Sequence, residues 1–168
     1  TIMINTFKKA AVALAFAGSA GLASATPLTV GSWDAFNFGD LGFVDTFTVS
    51  VAEGTHVKIR ITDGFIIGDE FGFSIDGGAM QFTSDADAND GIQSFAADGD
   101  SAWADLRLSH AIFNLFAGDH TIDLFHTENA TGFTGGTAFI RADIPEPATL
   151  ALFGLAFAGL GMTRRKRA

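Results

Sequence analysis

Two stretches of period-two alternation, at 43–51 and 57–62, constrain this chain more than any other feature. Phe43, Phe47, Val49 and Val51 fall on one face, and Thr46, Thr48 and Ser50 on the other. Val57, Ile59 and Ile61 alternate in the same way with Lys58, Arg60 and Thr62. Successive side chains of a strand point to opposite faces, so each stretch reads as a strand with one face in a core and one in water. Only Asp45 interrupts the apolar row. The intervening Ala52-Glu53-Gly54-Thr55 has turn composition, which predicts an antiparallel hairpin.

Further strands are expected at 28–38, 71–75, 80–83, 111–116, 120–127 and 137–142. The joins carry turn chemistry at Asp63-Gly64, Asp76-Gly77-Gly78, Ala117-Gly118-Asp119 and Gly135-Gly136. About eight short strands, with no amphipathic helical period between them, predict an all-β fold: an antiparallel β-sandwich, with jelly-roll topology as one way to connect it.

This body is bounded by two apolar segments. Near the start, Lys8-Lys9 precede the run Ala10–Leu22, followed by Ala23-Ser24-Ala25. Positive charge, a short apolar stretch and a small-x-small site are the layout of a secretory signal peptide, so residues 1–25 are expected to be removed after Ala25. At the other end, Pro145-Glu146-Pro147 leads into an apolar stretch, 148–162, closed by Arg164-Arg165-Lys166-Arg167. Fifteen helical residues reach about 22 Å against a hydrocarbon core of about 30 Å, a short transmembrane helix whose basic end stays cytoplasmic. The prolines withdraw backbone donors and disfavour helix in the residues before them, leaving an extended segment open to a processing enzyme.

Between these ends, residues 26–144 hold 18 Asp and Glu against four basic residues, a net charge of −14. Such a field repels nucleic acid, which is not expected as a partner, and favours solubility outside the cell. The chain has no cysteine, which excludes disulfides, thiol catalysis and Cys-ligated zinc. The body contains 14 Phe and the chain no Tyr, an aromatic content suited to a packed core.

The order Pro145-Glu146-Pro147, short apolar helix, Arg-rich terminus resembles the PEP-CTERM sorting signal of Gram-negative bacteria. The resemblance implies that an exosortase cleaves near Pro-Glu-Pro. It also implies an N-terminal signal peptide, the secretion machinery as partner and a transient stay in the inner membrane. Delivery to the cell surface, outer envelope or extracellular matrix, in bacteria that make exopolysaccharide and biofilm, would follow. Separately, DTFTVSVAEGTHVKIRITD followed by DEFGFSIDGG is similar to secreted β-domains of the pre-peptidase C-terminal type, a likeness that bears on fold rather than role.

Catalytic signals are sparse. Histidines 56, 110, 120 and 126 lack zinc-site spacing, no Gly-x-Ser-x-Gly elbow is present, and no pair among the carboxylates stands out. The expectation is a non-enzymatic protein. Asp85, Asp87 and Asn89 place oxygen donors at the first three positions of a calcium loop. Asp90 stands where that loop needs Gly, however, and Ala96 where it needs a bidentate Glu. A solvated acidic loop competes with a non-EF-hand calcium site, calcium being the one cofactor to weigh. Trp33 and Trp103 are the candidates for stacking on sugar, which would make the body a carbohydrate-binding module for polysaccharide.

Overall fold

The computed structural model describes residues 25–86 and 89–145. The expected signal peptide up to Ser24, Asp87, Ala88, and the tail from Glu146, with its expected transmembrane helix and basic terminus, lie outside the described residues. Among the described residues seven strands are formed: β1 (Thr26–Pro27), β2 (Trp33–Phe38), β3 (Gly42–Thr62), β4 (Glu70–Ile75), β5 (Gln81–Phe82), β6 (His110–Glu128) and β7 (Gly136–Asp143). One short helix, α1 (Gly99–Ala104), lies between β5 and β6. Among the described residues no helix is long and apolar enough to cross a membrane.

The two alternating stretches of the sequence belong to one strand. β3 runs for 21 residues and pairs antiparallel with the 19 residues of β6, from Gly42 opposite His126 to Thr62 opposite His110. The expected hairpin is thereby corrected. Ala52–Thr55 do not reverse the chain; they loop out as an exposed bulge facing Ala117 alone, with Gly54 at φ 72° and the Thr55 hydroxyl donating to the Ala52 carbonyl at 2.7 Å. Turn composition serves a bulge as well as a hairpin. What decides between them lies 60 residues downstream, where β6 offers two matching alternations, one for each half of β3.

The ribbon belongs to two layers. Its 42–51 and 118–128 portions pair with β1 and β4, and β4 with β5; its 56–62 portion pairs with β7, and β7 with β2. The strand order is β2-β7-β3-β6-β4-β5, one hydrogen-bonded path rather than the two separate four-stranded sheets of a jelly roll. The layers close on each other through phenylalanine. Phe36 of β2 meets Phe47 of β3 and Phe71 of β4 at ring-centroid distances of 5.7 and 5.6 Å, and Phe38 meets Phe71 at 5.0 Å, edge to face. Ile59, Ile61, Ile122, Leu124 and Ile140 complete this core with no exposure at all.

Asp45, the irregular residue of the alternation, coincides with a second bulge. Phe43 pairs with Phe125 and Asp45 with Leu124, so Val44 is the extra residue and packs against the core. The half-buried Asp45 carboxylate accepts from its neighbour's Thr46 N–H and from the Thr26 hydroxyl. Helix α1 was not expected. Its sequence signal is the capping pair Asp98 and Ser101, each side chain bonded to the other's backbone N–H.

Phe71 joins both layers and is fully buried. Phe71→Ala is expected to lower stability by about 3–5 kcal/mol, read as a drop in denaturant midpoint at unchanged slope.

Candidate functional site at the end of the last strand

β7 delivers the chain to the sorting segment, and its final residue is held on two sides. Asp143 pairs with Arg141 (Nε to Oδ1, 2.6 Å) and, across the β3–β7 ladder, with Arg60 (3.2 Å). These groups are each less than a third exposed, so the pairs lie partly shielded from water. Ile144 beyond them is 56 % exposed, and Pro145 is the last described residue. Asp143 is the last residue of β7 and of its ladder with β3.

The two tryptophans gather around the same arginines. Trp33 and Trp103 lie 6.1 Å apart between centroids, the Arg141 guanidinium carbon 5.7 Å from the Trp33 ring and that of Arg60 5.3 Å from the Trp103 ring. The Trp33 indole N–H donates to Asp100 of α1 at 2.8 Å. A Cβ on Gly99 would fall 2.3–2.7 Å from three Trp33 ring atoms, so the helix backbone rests directly on the indole. Trp33, half-buried, thus docks α1 together with Ile67, Ala96, Ala102, Leu108 and Phe139. Trp103 is half-buried and also meets His110 edge to face at 4.8 Å.

Where β3 runs into the loop that follows it, polar groups are sealed in. Asp63, Asp69, Glu70 and His126 are each 2 % exposed or less. The Asp63 carboxylate accepts from the Gly64 N–H at 2.7 Å and from the Asp69 N–H, closing the loop that carries the chain from β3 to β4. His126 places Nδ1 2.9 Å from the Gly39 carbonyl and Nε2 3.2 Å from Asp69 Oδ1. A carbonyl only accepts, so Nδ1 carries a proton. The ring lies 4.5 Å from that of Phe38 and 5.6 Å from that of Phe71. Burial, reinforced by the neighbouring Asp69 carboxylate, pushes the Asp63 carboxyl up to about 9. Sequence reading missed this cluster, although His126 shares its strand parity with Ile122 and Leu124 and so had to point inward.

The acidic loop is engaged internally where it is described. Both Asp90 carboxylate oxygens accept from Thr131, from its N–H at 2.6 Å and from its hydroxyl, and Gly68 packs against the same carboxylate. Asp90 is therefore a staple between loops. Asp85 is exposed, Asn89 is half-buried, and Asp87 lies outside the described residues. No group of three metal-ligating side chains occurs among the described residues. His120, midway along β6, is fixed by Asp76 (2.7 Å) and by the Phe116 carbonyl (2.8 Å). The hydrogen bond to Asp76, then that to the carbonyl, hold its imidazolium above the ordinary histidine value.

Residues 143–167 match the PEP-CTERM protein-sorting motif, so the match begins at the clamped Asp143. No curated protein matches the chain. Among solved structures, the pre-peptidase C-terminal domain of a Bacillus anthracis collagenase is 14 % identical, covering 74 % of this chain and 99 % of that one, with a TM-score of 0.41. A surface-associated copper-binding protein of Methylomicrobium album is 12 % identical, with 73 % and 98 % covered and a TM-score of 0.44. A CBM35 module of Cellvibrio japonicus is 9 % identical, with 65 % and 92 % covered and a TM-score of 0.33. What those proteins bind or do does not carry over at this level of likeness.

The sealed Asp63 gives the fold a pH signature. The carboxyl is neutral in the folded domain up to about 9 and ionises above 3.8 when unfolded. Its contribution to stability is thus fully present below 3.8 and is lost as pH rises towards 9. Asp63→Asn keeps an oxygen for the Gly64 N–H and carries no charge at any pH. Relative to the parent, the variant is expected to gain in melting temperature steadily from pH 4 to pH 9, in the window that the Asp63 shift opens. Parallel melting curves across that range would contradict the sealed carboxyl.

Proposed function

We propose that this chain is a non-enzymatic surface protein, exported by its N-terminal segment and paused in the inner membrane by residues 148–162. An exosortase then cuts it at Pro145-Glu146-Pro147, leaving it on the cell envelope or in the extracellular matrix of a Gram-negative bacterium. The observation that carries this reading is where the sorting motif begins: at Asp143, the last residue of β7, which two arginines fasten. A domain that ends at a pinned strand, followed by an exposed Ile144 and a proline-bounded segment, presents a cleavage site without unfolding anything.

The acidic body fits the same role. Its titratable groups do structural work, Asp63 closing a loop, Asp90 stapling two loops and His120 fixed by Asp76, which supports a protein that acts by presence and association. Association with exopolysaccharide or biofilm matrix belongs to this proposal as its setting. The carbohydrate-module reading is narrower than the sequence suggested and rests on Trp103, whose half-buried ring lies beside Arg60 on the outer face.

Mass spectrometry of the protein recovered from its host tests the sorting reading. The expected chain starts at Thr26 and finishes near Pro145. Replacing Pro145, Glu146 and Pro147 together by alanine is expected to leave the basic terminus attached and the protein in the membrane fraction. A surface-displayed chain that still ends at Ala168 would contradict the proposal.

A further inference from the structure

The first half of β6 has β3 on one side and an open edge on the other. β4 pairs with β6 only from Ile122 to Glu128. Among the described residues the other backbone groups engaged on this side are those of Thr121, held by Asp76, the Phe116 carbonyl, and those of His110, whose carbonyl accepts from the Ser84 N–H at 2.7 Å and whose N–H donates to the Ser84 hydroxyl at 2.9 Å. Along a strand, backbone groups point alternately to either side. Since His110 points away from β3, so do Ile112, Asn114 and Phe116. Of their backbone groups only the Phe116 carbonyl is engaged there, by His120.

This edge lacks the charges and prolines that usually blunt one. Residues 111–117, Ala-Ile-Phe-Asn-Leu-Phe-Ala, contain no charge and no proline, and the outer-face side chains Ile112 and Phe116 are 56 % and 69 % exposed. The other edges are guarded. β1 and β5 are two residues long, and the edge strand β2 carries Asp34 on the face of Phe36 and Phe38, its carboxylate accepting from the Thr29 N–H.

We propose that two copies of this chain pair antiparallel through residues 111–117 of β6, about a two-fold axis at Asn114. A second copy is the occupant because the strip is its own complement. The three residues that point outward, 112, 114 and 116, are symmetric about Asn114, so each Asn114 faces its counterpart and each Ile112 faces a Phe116, an aliphatic–aromatic cross-strand pair. Charge selects the same place. The body carries −14 and repels itself, while this strip is uncharged and lies beside Lys58 and Arg60, two of its four basic residues, opposite Asn114 and Ile112 in the ladder. The pairing joins two sandwiches into one continuous sheet.

The native chain has no cysteine, so a single introduced one reports contact without background. Facing residues of an antiparallel pair lie within disulfide reach. In the full-length chain exported to an oxidising compartment, Asn114→Cys is expected to give a disulfide-linked species of twice the chain mass. Asp40→Cys, exposed in the turn before β3, is expected to give none. Adding Ile112→Lys to Asn114→Cys is expected to abolish the cross-link without moving the melting temperature, since Ile112 is on the surface. A monomeric Asn114→Cys chain, equal cross-linking from Asp40→Cys, or a linked species of any other mass would overturn the pairing. The result is expected equally in a host without exosortase, so it stands or falls apart from the sorting reading.

Discussion

The antiparallel ribbon of β3 and β6 is the constraint on which the rest of the structure depends. Each strand spans both layers, so the two sheets are portions of one ladder bent at the Ala52–Thr55 bulge. Every other strand attaches to one portion or the other, directly or through β7 and β4. The core forms where the bend brings Phe36 and Phe38 over Phe47 and Phe71. Most of these pairings join residues far apart in sequence, so closing them carries a large loop entropy that only the assembled core offsets.

Two neighbouring groups of carboxylates hold the loops and the last strand in different ways. Asp63 and Asp90 close and staple loops, and burial keeps the Asp63 group neutral. Arg60 and Arg141 converge on Asp143 beside Trp103 of α1 and Trp33, on which α1 rests. The Asp63 group is sealed from water, whereas Asp143, where the match to the sorting motif begins, stays partly exposed.

Much of this was legible in the residues, and the failures have physical causes. The period-two stretches placed the core face of β3 correctly, because alternation is a local consequence of the pleat. They did not fix partners: Ala52-Glu53-Gly54-Thr55 suits a hairpin or a bulge, and only the length of β6 chooses. The six-residue helix α1 is too short for a helical period to show, although Asp98 and Ser101 signalled its cap. The packing around Trp33 and Trp103 was not legible, since Gly99 and Arg141, which approach the Trp33 ring, lie far from it in sequence. The sorting motif was the most readable feature, because the order of its residues is itself the signal that matches.

Hydrogen exchange measured along β3 tests the shared ribbon most directly. If one ladder carries both layers, amides at Phe47–Val51 and Val57–Ile61 exchange together, at the slow rate of global unfolding, despite the exposed bulge between them. Separate rates for the two halves, with one layer opening while the other stays protected, would contradict it.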